Sequence, residues 1–120
     1  MSEQTHPIEG QVVLLAGAQA SVTLQALSAL LEDAQRHLVD RREDYDRRFE
    51  RVGAGSRTYY LADANHWERV GEELGLDDSE ADAVRRAHGA QFRRDGRRLD
   101  RKAEFETAME IRDPVAIASP

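Results

Sequence analysis

The sequence predicts an α+β domain that is mainly α: a long amphipathic helix, three to four shorter helices and a small β-hairpin. Three observations carry this. Apolar residues recur in steps of three and four from Leu24 to Val52, the period of one helix face. One short run, Thr58-Tyr59-Tyr60-Leu61, is β-branched and aromatic, as strands are. The rest is punctuated by cap residues and glycines at helix-end spacing. At 120 residues the chain has the size of one domain. Residues 1–6 are expected to be disordered, 7–117 to form a single α-rich domain, and 118–120 to be loose.

Taken in order, Pro7–Ala20 is ambiguous. Pro7 suits the first turn of a short helix and Ala16, Ala18 and Ala20 favour one, while Val12–Leu15 also reads as a buried strand; helix is preferred. From Thr23 the stripe Leu24, Leu27, Leu31, Ala34, Leu38, Tyr45, Val52 predicts an amphipathic helix of at least six turns, interrupted at Arg41 and Arg48. Those two arginines disfavour a coiled-coil seam and favour a helix facing its own core. Glu32–Arg36, Glu43–Arg47 and Asp44–Arg48 have stabilising i,i+4 spacing. The strand at Thr58–Leu61 needs a partner. Phe49–Val52 folding back across Gly53-Ala54-Gly55-Ser56 supplies one, in which case the long helix stops near Asp46 or Arg47 and the loop has four or five residues.

Asn65 and Glu68 have capping-box spacing ahead of a helix carrying Trp67, Val70 and Leu74, and Gly75 stands where a left-handed residue would end it. Asp77 with Glu80 restarts a helix, with Leu76 and Ala81 as its hydrophobic staple. That helix runs through Val84, His88 and Phe92 toward Gly96. Leu99–Ile111 is a further helix candidate stopped by Asp113-Pro114, and Val115-Ala116-Ile117 a short terminal strand.

Composition excludes several function classes. The chain is 40% apolar and 33% charged, the balance of a folded, well-solvated protein. Its longest apolar run, Val12–Ala16, is far short of the roughly 20 residues that span a bilayer. Met1–Pro7 lacks the basic start of a secretory signal, so a cytoplasmic location with no membrane association is expected. With no cysteine, disulfides, thiolate metal sites and cysteine nucleophiles are excluded. Sixteen Arg and one Lys stand against 23 acids, a net charge of −6. Weakly hydrated, bidentate Arg suits dense ion pairing, and the skew fits a halophilic protein working in concentrated salt.

Each motif has a bland counterpart. Val70, Gly71, Leu74, Gly75, Leu76, Ala81 and Val84 reproduce helix-turn-helix spacing, but any tight corner of two helices makes the same demands. Asp77, Asp78, Glu80 and Asp82 would also meet phosphates with like charge. From 85 to 102 the chain carries Arg85, Arg86, Arg93, Arg94, Arg97, Arg98, Arg101 and Lys102 against Asp95 and Asp100. This segment is +6, the rest of the chain −12. Such asymmetry is the footprint of an anion-binding face; the alternative is a solvated face paired with acids of the long helix. His6, His37, His66 and His88 have no ligand spacing, and His66 beside Trp67 reads as a capping turn or core edge. Asp78-x-Glu80-x-Asp82 fails as a calcium loop, with Ala83 at its sixth position and Gly89 at its twelfth. Gly53-Ala54-Gly55 lacks the remaining residues of a phosphate loop or dinucleotide fingerprint. No catalytic residue, metal site, cofactor or small-molecule ligand is expected.

Leu30-Leu31-Glu32-Asp33-Ala34-Gln35, His66-Trp67-Glu68, Leu74-Gly75-Leu76, Ala83-Val84-Arg85-Arg86-Ala87-His88 and Phe105–Arg112 resemble a group of small haloarchaeal proteins of unknown function, over most of residues 24–117. The resemblance implies origin in a salt-loving archaeon; it carries over no activity, ligand or site. Two functions are expected from the residues. The first is a non-enzymatic protein-interaction or regulatory module using the long helix and hairpin for a partner or for self-association. The alternative is a helix-turn-helix-like, nucleic-acid-associated accessory protein using the Arg85–Lys102 face.

Overall fold

A computed structural model describes residues 6–118; the disorder expected of 1–5 and the looseness expected of 119–120 lie outside the described residues. The class is α+β, mainly α, and among the described residues there are six helices and one three-stranded antiparallel sheet.

Helix α1 spans Gly10–Gln19, so the ambiguous first segment is a helix. Its burial shows why: Val12, Val13, Ala16 and Gly17 face inward while Leu14, Leu15, Ala18 and Gln19 face out, pairs alternating at close to the helical period. It starts three residues after Pro7, and the amide of Glu9, at its N-cap, donates to Gln91 Oε1 (2.8 Å). The chain then turns back through Ser21, at φ 58°. The Val22 amide donates to the Gly17 carbonyl at 2.8 Å. A Cβ on Gly17 would lie 2.6 Å from the Val22 oxygen, so a side chain there would block the turn. Helix α2, Leu24–Val39, leaves at 110° to α1. Thr23 Oγ1 caps it by accepting from the Ala26 amide at 3.1 Å.

The stripe buries Leu27, Leu31, Ala34 and Leu38, but Leu24 is exposed. The helix does not run six turns. It breaks at Asp40–Arg41, the first interruption of the stripe, and resumes as α3, Arg42–Arg48. The longest helix is instead α5, Asp78–Arg98. Of the three expected i,i+4 pairs, Asp44–Arg48 forms (3.3 Å), while Arg36 turns to Asp33 and Arg47 to Asp44, each one residue nearer.

Strands β1 (Glu50–Ala54) and β2 (Arg57–Ala62) form the expected hairpin. Gly53 and Ala54 extend the first strand, so the loop is only Gly55-Ser56. Gly55 at φ +65° provides the left-handed first position of a tight two-residue turn. Asp113–Ile117 becomes β3 and pairs antiparallel with β2, matching Tyr59 to Ala116 and Tyr60 to Val115. The terminal strand thus completes the hairpin, leaving β2 central.

Successive β2 side chains reach opposite layers: Tyr59 packs edge-on against Phe92 of α5 at 4.9 Å, Tyr60 against Tyr45 of α3 at 5.9 Å. Both sheet edges are closed by side chains. Gln35 of α2 donates to the Ala116 carbonyl (3.1 Å) and accepts from the Ala118 amide (2.6 Å), and His88 Nδ1 accepts from the Ala116 amide (2.9 Å). Arg101 donates to the Gly53 carbonyl of β1 at 2.8 Å.

Helix α4, His66–Leu74, ends at Gly75 with φ 71°, and the Leu76 amide donates to the Gly71 carbonyl at 2.8 Å. The Asn65–Glu68 capping box does not form. Asp63 takes its place, with Oδ1 accepting from the Asn65 amide and its carbonyl from the His66 amide. The Asp77–Glu80 box does form, with bonds of 2.8 and 3.0 Å. The last helix candidate shortens to α6, Lys102–Ala108, since Asp100 at φ 57° and a bond from the Arg101 amide to the Gly96 carbonyl (2.7 Å) turn the chain first. Phe105 of α6 then stacks on Phe92, centroids 4.1 Å apart. Among the described residues no single helix is long and apolar enough to cross a membrane.

Candidate functional site

The eight basic residues singled out between 85 and 102 do not form one face. Helix geometry divides them, since residues seven and four apart stay together and those between turn away. Arg94 and Arg98 point toward α1, where both Arg98 terminal nitrogens donate to Glu9 at 2.7 Å and Arg94 lies 3.9 Å away. Arg101 forks onto Glu104 (2.7 and 2.8 Å) and lies over the Phe105 ring. Arg85 and Arg86 both reach Asp82, at 2.8 and 2.6 Å. None of these partners belongs to Asp40–Glu50, so pairing with acids of the long helix, one of the two readings of this stretch, is absent among the described residues. Arg93, Arg97 and Lys102 remain exposed, and among the described residues none of the three lies within ion-pair distance of an acid.

Arg85, Arg86, Arg93 and Arg97 do share one place. They line a groove of about 390 Å³ between α5, the end of α1 and the α6–β3 connection. Its floor is small, Gly89 and Ala90, and Asp113 is the only acid among its lining residues. Arg85 approaches Asp113 at 3.9 Å.

A second constellation was not foreseen. Arg57 of β2 donates to both oxygens of Asp95 (2.7 and 2.9 Å), to Glu9 (3.0 Å) and to the Pro7 carbonyl (3.3 Å). Tyr59 donates to Asp95 at 2.6 Å, and Gln91 bridges Glu9 (2.6 Å) and Asp95 (3.3 Å). Burial works to raise the Asp95 pKa, but the donors Arg57 and Tyr59 outweigh it and hold the carboxyl below its usual range. Glu9 is lowered to about 2, first by its bonds from Arg98. The guanidiniums of Arg57 and Arg98, with Arg94 at 3.9 Å, compensate the Glu9 and Asp95 carboxylates, so the network is an ion-paired clamp joining the segment before α1, β2 and α5.

The histidines form a third group. His66 opens α4 in the capping-turn position read from the sequence, but is buried against Tyr45, whose hydroxyl meets its Nε2. Burial pushes Tyr45 up to about 12 and His66 down to about 4. His88, wholly buried, is lowered by burial to about 3, and Trp67 packs beside both rings with centroids at 4.5 Å. His37 Nε2 stands 3.4 Å from Glu73. The buried His66 and His88 rings are neutral at neutral pH and serve packing. His6 is no part of a loose start: it is buried, with Nδ1 accepting from the Ile8 amide at 3.2 Å.

A fourth feature carries an unused sequence signal. In a chain that is one-third charged, no charged residue occurs from Gly10 to Leu31, a run of 22. The fold places this run on α1 and the start of α2 and exposes Leu14, Leu15 and Leu24 by 49, 53 and 40%. Between them the surface is Gln, Ala, Ser and Thr. Of the surfaces expected to meet a partner, the α2 stripe from Leu27 to Leu38 lies in the core and β1 exposes Glu50 and Arg51.

Compared with known proteins, residues 6–119 match a family described as a domain of unknown function, DUF8048. No curated protein and no solved structure matches the chain.

Proposed function

The chain belongs to the DUF8048 family of unknown function, and from that premise we propose that it is a small, non-enzymatic protein-interaction or regulatory module of a salt-adapted archaeon, working as a self-associating unit. The observation that carries the reading is the uncharged α1–α2 elbow with its three exposed leucines. Exposed apolar surface gathered in one place marks a contact site.

The occupant is a second copy of the chain. Two molecules of net charge −6 repel over most approaches, but the elbow segment itself, residues 10–31, contributes no charged side chain, so like charges of that segment are not forced together there. A twofold contact matches Leu14 and Leu15 of one copy with the same face of the other. Apolar burial is not screened by salt as ion pairs are. Sixteen Arg to one Lys and the acidic surplus support the saline setting.

Light scattering across protein concentration is the test. The wild type is expected at twice the chain mass, and Leu14→Glu with Leu15→Glu at the chain mass with an unchanged circular dichroism spectrum, since both side chains are half-exposed. A wild type that stays at the chain mass up to about 1 mM, or a variant that still dimerises, overturns the reading; about 1 mM corresponds to only 4 kcal/mol of association. The alternative, a nucleic-acid-associated accessory protein using Arg85–Lys102, is supported by the exposed Arg93 and Arg97.

A further inference from the structure

We infer that the groove along α5 binds a phosphate-bearing ligand through Arg93 and Arg97, with Arg86 at its far end. The inference does not rest on self-association: the groove is built on α5, and of the outward face of α1 that carries Leu14 and Leu15 only Gln19 borders it.

The argument begins with helix spacing. Arg86, Arg93 and Arg97 are separated by seven and four residues, so their side chains project from one face of α5. The intervening residues on that face are Gly89 and Ala90; Met109 packs against Gly89, and the guanidiniums rim the groove above this small, apolar floor. The groove holds about 390 Å³, within the range of small-molecule sites. Its charge runs against that of the molecule. The protein is −6 overall, yet here four arginines face Asp113, with Asp82 shared between Arg85 and Arg86.

The sorting of the arginines supplies the selectivity. Every other basic residue of α5 is held by a carboxylate: Arg94 and Arg98 by Glu9, Arg85 and Arg86 by Asp82. Among the described residues Arg93 and Arg97, one turn apart, have no such partner. Two unengaged guanidiniums one turn apart present paired N–H donors to one tetrahedral oxyanion, the geometry at which arginine binds phosphate bidentately. The same chemistry is offered by a free di- or triphosphate and by a nucleic-acid backbone. The acidic first turn of α5, Asp78 and Glu80, lies more than two turns from Arg93 and so does not oppose a compact ligand, though it would oppose a duplex laid along the whole helix.

The test uses the full chain with three probes at about 50 mM salt: inorganic pyrophosphate, inorganic triphosphate and a fluorescent 12-base-pair DNA duplex. Calorimetry follows the first two and anisotropy the third. Triphosphate is expected to bind, and Arg93→Gln with Arg97→Gln to weaken it at least tenfold. Arg36→Gln with Arg47→Gln, which removes the same charge from another surface, is expected to leave binding within twofold. Duplex binding that exceeds triphosphate binding, with a salt slope of several phosphates lost in the groove variant, assigns the ligand to nucleic acid. Triphosphate binding equal to or tighter than duplex binding assigns it to a small molecule. No binding of any probe, or equal losses in the two variants, overturns the inference.

Discussion

Asp95 keeps its charge although only 4% of its surface is exposed. Burial of a carboxylate is costly unless donors replace the lost water, and Arg57, Tyr59 and Gln91 provide four hydrogen bonds between 2.6 and 3.3 Å. Asp95→Asn is therefore expected to destabilise the fold by about 3 kcal/mol, because it leaves the Arg57 guanidinium beside an amide that cannot neutralise it. Urea denaturation measures this, and a loss under about 1 kcal/mol would mean that Glu9 alone satisfies Arg57. The histidines set a pH dependence of defined sign. His66 and His88 are lowered by burial to about 4 and about 3 from an unfolded value near 6.5. Below pH 6.5 the unfolded chain takes up protons that the folded chain refuses, so the stability present above 6.5 is lost as pH falls through 4. Each ring contributes up to about 1.4 kcal/mol per pH unit. Glu9 and Asp95, also lowered on folding, add to the loss in the carboxylate range near pH 4. The window from 5 to 6.5 thus isolates the histidines. There His88→Asn is expected to reduce the slope of stability against pH, the rest coming from His66 and from His6, which burial also lowers, and an unchanged slope would show that His88 does not titrate on unfolding.

At the scale of elements, what was legible in the sequence was local. The Asp77–Glu80 box and the Gly75 stop were readable because capping spans three residues. The hairpin was readable because a glycine turn joins adjacent strands. The Asn65 box failed for the same reason in reverse, since Asp63, two residues away, offered the backbone a competing acceptor. What spacing could not reveal was pairing across the chain. Glu9 meets Arg98 from 89 positions away and Gln35 meets Ala116 from 81, and no periodicity records either. The basic stretch was legible as a count of charges but not as a surface: Asp82 and Glu104 lie within four residues of their arginines, but the Glu9 that holds Arg94 and Arg98 comes from the far end of the chain. The edge of β3 provides the element-scale prediction. Gln35→Leu keeps the apolar volume but leaves the buried Ala116 carbonyl and the Ala118 amide without their partner, which is expected to cost about 2 kcal/mol. Hydrogen exchange is expected to accelerate at residues 115–118 before it does in β2. Uniform acceleration across the sheet would instead mean that β3 and the hairpin open as one unit.

For the whole molecule, the balance between short ion pairs and net charge decides how stability responds to salt. Thirteen arginine–carboxylate contacts among the described residues would each weaken in salt if they were exposed, and most are, so they contribute little at any ionic strength. The exception is the Glu9–Arg57–Asp95 clamp, where Arg57 and Asp95 side chains are only 17 and 5% exposed; solvent ions reach it poorly. Opposing folding is the self-repulsion of a −6 charge confined to a radius of gyration of 13.2 Å. That repulsion acts over distances longer than the roughly 8 Å screening length at physiological salt and is removed as the length shrinks to about 3 Å at 1 M. The long-range cost therefore fades faster than the short-range gain. The melting temperature is expected to rise with NaCl, with most of the rise complete by about 1 M, where screening saturates. Scanning calorimetry from 0.05 to about 3 M NaCl checks it. Asp95→Asn is expected to melt lower at every salt concentration while keeping the same rise, since the clamp and the net repulsion are separate contributions. A melting temperature that falls steadily with NaCl would mean that the exposed pairs, not the net charge, govern the fold, and would remove the physical basis for reading this composition as adapted to salt.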